Sequence, residues 1–133
     1  MQELHVKIWN RETDVVGLAV LRFEPADAFI ELTLPDGDVF SGTKNDLFDA
    51  LIYIRERLEM QGLFVLCNGS RLDVTPSRMS RQMSNGRRAY QMKMGEQARL
   101  PDLVDIFDET SRGSVATVAD QRRFYRQWLE SLG

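Results

Sequence analysis

Arginine is the chemistry-bearing residue that this chain concentrates. From Arg71 to Arg99 stand seven basic residues, Arg71, Arg78, Arg81, Arg87, Arg88, Lys93 and Arg99, opposed only by Asp73 and Glu96. That stretch carries +5 while the whole chain carries −3, so the remainder stands at −8. A modest net charge therefore hides a segregated one. Guanidinium groups present planar forks of donors that suit carboxylate and phosphate acceptors. Met79, Met83, Met92 and Met94 lie in the same stretch. Their flexible thioether chains fill gaps in a core or adapt to a partner. Gly69 and Gly86 permit positive φ or close backbone approach. Three readings are open for the segment. It is a solvated loop over a methionine-containing core, a partner-binding surface, or a phosphate or nucleic-acid site in which Tyr90 stacks beside the arginines.

The acids gather next to it, in Asp102, Asp105, Asp108 and Glu109. Calcium-loop spacing is absent, and Asp105 with Asp108 makes too small a set for a dedicated metal cage. They read as a solvated edge, as internal partners of the arginines, or as an acidic patch facing a basic protein. Nucleophilic catalysis would have to use His5, the one histidine, or Cys67, the one cysteine. His5 falls near the start of a strand and Cys67 ends an apolar one, so both read as structural. One Cys and one His do not make a usual zinc site. Neither a Gly-rich phosphate loop before Lys-Ser/Thr nor a dinucleotide fingerprint is present. The expectation is no enzyme, no cofactor and no metal. An arginine-lined cleft around Arg78, Arg81 and Arg87 is what would revive an enzymatic reading.

The elements that position these residues follow from apolar periodicity. The 133 residues, 43% hydrophobic and 28% charged, suit one domain over residues 1–133 and argue against disorder. A chain of this size buries about two-thirds of its unfolded surface, enough for a core without staples. An acidic protein, with pI near 5.2, is a poor non-specific binder of nucleic acid. A lone cysteine excludes an internal disulfide, and the N-terminus lacks a secretory pattern. A cytoplasmic location without a membrane span is the expectation; oligomeric state is left open.

Alternation predicts strands over His5–Asn10, Val16–Phe23 and Ala28–Leu34, a hairpin turn at Pro35–Asp38, and a fourth strand over Val39–Gly42. A helix follows, with Thr43 as its cap and Leu47, Leu51, Ile54 and Leu58 as its apolar stripe. Arg55, Glu56, Arg57 and Glu59 fall on the wet side, and Gly62 ends it. Leu63–Cys67 is the most apolar strand and is expected at the centre of a sheet. Leu72–Thr75, Ala89–Met94 and Leu103–Phe107 are short strands, the last alternatively a helical turn. Pro76–Gly86 is polar without a clear period. Thr117 caps a terminal helix with Phe124, Trp128 and Leu132 along one face and Tyr125 and Leu129 beside them. The fold class is α+β, with antiparallel sheet and two helices in the order ββββα–ββββα.

That order resembles the Whirly-like fold, known from single-stranded-DNA-binding proteins and from some bacterial immunity proteins of contact-dependent growth inhibition. Cys67-Asn68-Gly69-Ser70-Arg71, Pro76 to Met83 and Gly86-Arg87-Arg88-Ala89-Tyr90 look like a pattern of small bacterial proteins associated with polymorphic toxin systems. The likeness continues in Leu103 to Asp108 and in Tyr125-Arg126-Gln127-Trp128-Leu129, so it covers the C-terminal half. It implies a non-catalytic immunity protein that binds a protein toxin, and it carries over no catalytic residue. The residues expected at the partner surface are Arg71, Arg78, Arg81, Arg87, Arg88 and Tyr90, with Asp105 and Asp108. The alternative is a nucleic-acid-binding module built on residues 71–99.

Overall fold

The computed structural model describes residues 1–133. Four strands run consecutively as an antiparallel meander: β1 (Gln2–Asn10), β2 (Val15–Glu24), β3 (Phe29–Thr33) and β4 (Val39–Thr43). Strict alternation makes this sheet two-faced. Val6, Ile8, Ala19, Leu21, Ile30 and Leu32 are buried, while His5, Lys7, Leu18 and Arg22 on the reverse face are exposed. The β3–β4 turn closes as the glycine predicts: Gly37 takes φ 95°, and Leu34 N–H donates to Asp38 O at 2.8 Å.

Helix α1 (Leu47–Glu59) packs on the buried face, through the expected Leu47, Leu51, Ile54 and Leu58. Its cap is Asp46, whose Oδ1 accepts Asp49 N–H at 2.8 Å. Thr43 does not cap it, because Thr43 is still in β4, paired opposite Phe29. Arg55 is not on the wet side either; it is 3% exposed.

β5 (Leu63–Val65) joins the sheet beside β1, giving the order β4-β3-β2-β1-β5. It is therefore an edge strand and not the central one. The chain just past it, Leu66 to Asn68, is sealed by a returning segment. Asn68 N–H donates to Asp108 O at 2.9 Å, Thr110 N–H donates to Leu66 O at 3.1 Å, and Cys67 bridges to Glu109.

The second half departs from the expected ββββα. β6 (Val74–Thr75), β7 (Arg88–Gln91) and β8 (Leu103–Asp105) form a separate three-stranded antiparallel sheet in that order. A third helix, α2 (Arg78–Ser84), interrupts it. The element order is ββββα–ββαββα, with three helices where two were expected. Seven residues span about two turns, too short for a 3.6-residue period to register. Its ends were nonetheless marked: Ser77 Oγ accepts Ser80 N–H at 3.0 Å, and Asn85 closes it at φ 55°. Helix α3 (Val118–Ser131) starts at Thr117 as expected, with Asp120 N–H donating to Thr117 Oγ1 at 3.1 Å. Its buried positions are Val118, Gln121 and Trp128; Leu132 is 37% exposed. A cluster of 22 buried residues unites the two halves, drawing Val74, Ala89, Ile106 and Val118 into contact with the first sheet's core.

Candidate functional site

Three of the segment's arginines are committed inside the molecule. Arg71 forks onto Asp73 (Nε–Oδ1 2.9 Å, Nη2–Oδ2 3.1 Å) and donates to Thr110 Oγ1 at 2.9 Å. Arg81 Nη1 lies 2.8 Å from Asp46 Oδ2 and 3.0 Å from Asp49 Oδ1, tying α2 to the first turn of α1. These carboxylates outweigh desolvation and hold the Arg81 guanidinium above its ordinary value. Arg87 pairs with Asp105 at 3.0 Å and lies over the rings of Phe23 and Phe107, 4.8 and 5.4 Å from their centroids. Asp105 also accepts Phe107 N–H, so it serves β8 and not a partner in the first instance. Asp108 and Arg88 are exposed, and neither forms an ion pair.

A buried hub sets where α3 lies. Arg55 Nη1 donates to Gly69 O at 3.0 Å and Gln121 Oε1 at 2.7 Å, and its Nη2 donates to Ala116 O at 2.8 Å. Gln121 Nε2 in turn donates to the carbonyls of Gly69, Arg71 and Val74 at 2.8–2.9 Å. Burial pushes Arg55 down to about 10, which leaves it protonated at neutral pH. Glu59 accepts Val118 N–H at the start of α3, at 3.0 and 3.2 Å, so α1 holds that helix at two places.

α3 thereby presents Arg122, Tyr125 and Arg126 to α2. A cavity of about 430 Å³ lies between α1, α2 and α3, with Phe48, Arg78, Arg81, Arg122 and Arg126 among its walls. Arg78, Arg122 and Arg126 are exposed and take part in no ion pair. Beside it is a trough of about 360 Å³ lined by Met79, Tyr90, Met92, Trp128 and Leu132. Thr75 and Tyr125 line both. Met79 and Met83, one helical turn apart on α2, are 67% and 81% exposed.

The structure thus brings together three of the expected surface residues, Arg78, Arg81 and Tyr90. It sends Arg71 to a different cleft and Arg87 to an internal pair. Arg122 was not among the expected site residues, and Arg126 entered only as part of a resemblance. Their i, i+4 spacing was the available signal, since it places both on one face of a helix.

The larger cleft, about 830 Å³ between Trp9, Phe64, Arg71 and Phe124, is electrically quieter. Its Arg71, Arg112 and Arg123 each face a carboxylate, on Asp73, Asp14 and Asp120, and the one arginine there without such a partner, Arg11, lies over the Phe64 ring. Of the nucleophile candidates, His5 is exposed on the sheet's open face, whereas Cys67 is wholly buried, 3.7 Å from Ser70 Oγ. Burial pushes the Cys67 thiol up, toward the unreactive protonated form. No three His, Cys, Asp or Glu side chains converge as a metal site, and no helix is long and apolar enough to cross a membrane. No protein-family model matches the chain, and no curated protein matches it.

Proposed function

We propose that this chain is a non-catalytic binding protein, an immunity protein that neutralises a toxin by direct contact through the α2–α3 face. What carries the reading is the pairing of three uncompensated arginines, Arg78, Arg122 and Arg126, with the exposed methionines of α2. Within the basic segment the chain neutralises Arg71 and Arg87 with its own carboxylates. Leaving three cations unmatched around one concavity forgoes local electrostatic stabilisation, and it provides charge for an acidic partner. Methionine and aromatic side chains beside arginine are the residue types that anchor protein interfaces. The resemblance of the C-terminal half to proteins of polymorphic toxin systems points the same way.

Nucleic acid would use the same arginines. Against it stand the carboxylate of Asp49 within the cavity and the −8 balance of the chain outside residues 71–99. Co-expression with the products of neighbouring genes tests the proposal. The expected outcome is co-purification with one of them and relief of the growth arrest that it causes. The reading fails when no product binds and no arrest is relieved.

A further inference from the structure

We infer that the cavity and the trough act as one bipartite groove, which takes an acidic protein segment bearing an apolar side chain beside its carboxylates. The inference rests on the binding role proposed above and specifies its partner chemistry. Thr75 and Tyr125 belong to both concavities, so a bound segment passes from one to the other without leaving the surface.

The cavity end is built for carboxylates. Arg81 is already satisfied by Asp46 and Asp49, which fixes it as part of the wall. Arg78 from α2 and Arg122 and Arg126 from α3 flank it with unused donors. Singly charged side chains fit beside the Asp49 carboxylate better than a phosphodiester chain, whose charges repeat at every unit.

The trough end is built for an apolar anchor. The Trp128 indole N–H is already spent on Glu96 O at 3.0 Å, so that side chain offers the trough its apolar surface. Tyr125 stacks on Trp128 with centroids 6.0 Å apart and planes 26° from parallel, so the two rings form one apolar wall. Met79, 67% exposed, is the flexible wall that adjusts to the anchor.

Fluorescence anisotropy at low salt tests this with three labelled probes of equal length. They are a glutamate-rich peptide containing leucine and tryptophan, an all-glutamate peptide, and oligothymidylate. The mixed peptide is expected to bind most tightly. The double reversal R122E/R126E weakens both peptides by about tenfold or more. Met79→Ser weakens the mixed peptide and spares the all-glutamate one. Circular dichroism of both variants checks the fold, and both changes lie on exposed side chains. Binding of no probe, tighter binding of the oligonucleotide, indifference to the double reversal, or indifference of the mixed peptide to Met79→Ser overturns the groove. Growth rescue that survives both variants would retain the immunity reading and remove only this assignment. Absence of any co-purifying partner would strike the immunity reading while leaving the peptide result intact.

Discussion

Arg55 is the residue on which the two halves meet. It is four residues after Leu51 and three before Leu58, so helical spacing puts it at the border of the apolar stripe. Its charge made it read as a wet-side residue. What the one-dimensional pattern lacks is the set of acceptors, Gly69 O, Ala116 O and Gln121 Oε1, that arrive from sequence-distant segments. Arg55→Met keeps the aliphatic stem and removes every donor. It should cost about 2–4 kcal/mol, because Ala116 O loses its side-chain donor and Gln121 Oε1 its charged partner in a buried site. Urea unfolding measures it, and a loss under about 1 kcal/mol would mean that the hub contributes little. Cys67 offers a test in pH. Its folded-state thiol is held above the unfolded value of 9.0 by burial. Below that value both states keep the proton and stability is full. As pH climbs from there toward the raised folded value, the unfolded state ionises first and stability falls. Cys67→Ala should flatten that alkaline decline in a series of unfolding curves.

At the scale of elements, what was legible depended on length and on which face was wet. The first four strands and their turns follow the alternation of Val6, Ile8, Ala19, Leu21, Ile30 and Leu32, because one face packs on α1 and the other meets solvent. β5 misled, because an edge strand whose continuation, Leu66 to Asn68, is covered by residues 108–110 is as apolar as a central one. α2 was hidden by its brevity, although Ser77 and Asn85 marked both ends. Its docking is specific: Asp46 caps α1, accepts from Arg81, and lies against Gly86. Asp46→Ala should therefore lose about 2–3 kcal/mol, more than a cap alone, through the combined loss of cap and ion pair. Double-mutant cycles with Arg81→Ala would show the coupling. Gly69 sits where the two halves press together. A Cβ there would come 2.5 Å from Leu51 Cδ2 and 3.2 Å from Ile106 Cβ. Gly69→Ala should destabilise by about 1–3 kcal/mol, read as a lower melting temperature.

For the molecule as a whole, charge segregation was legible, and its use was only half so. Counting by segment grouped Arg71, Arg78, Arg81 and Arg87 as one patch. Folding divides them among an edge cleft, a groove wall and a core-flanking pair. The groove also recruits Arg122 and Arg126, which stand on α3 more than twenty residues beyond the basic segment's end. A segment count misses such a site because sequence-distant parts place α3: Val118 N–H donates to Glu59 of α1, and Gln121 Nε2 donates to Val74 O of β6. The most direct test of the account is calorimetric titration of the co-purified partner into wild-type protein and into R122E/R126E. A loss of affinity of at least about tenfold, with the circular dichroism and melting temperature of the variant unchanged, is the predicted result. Equal affinity of the two proteins would contradict it.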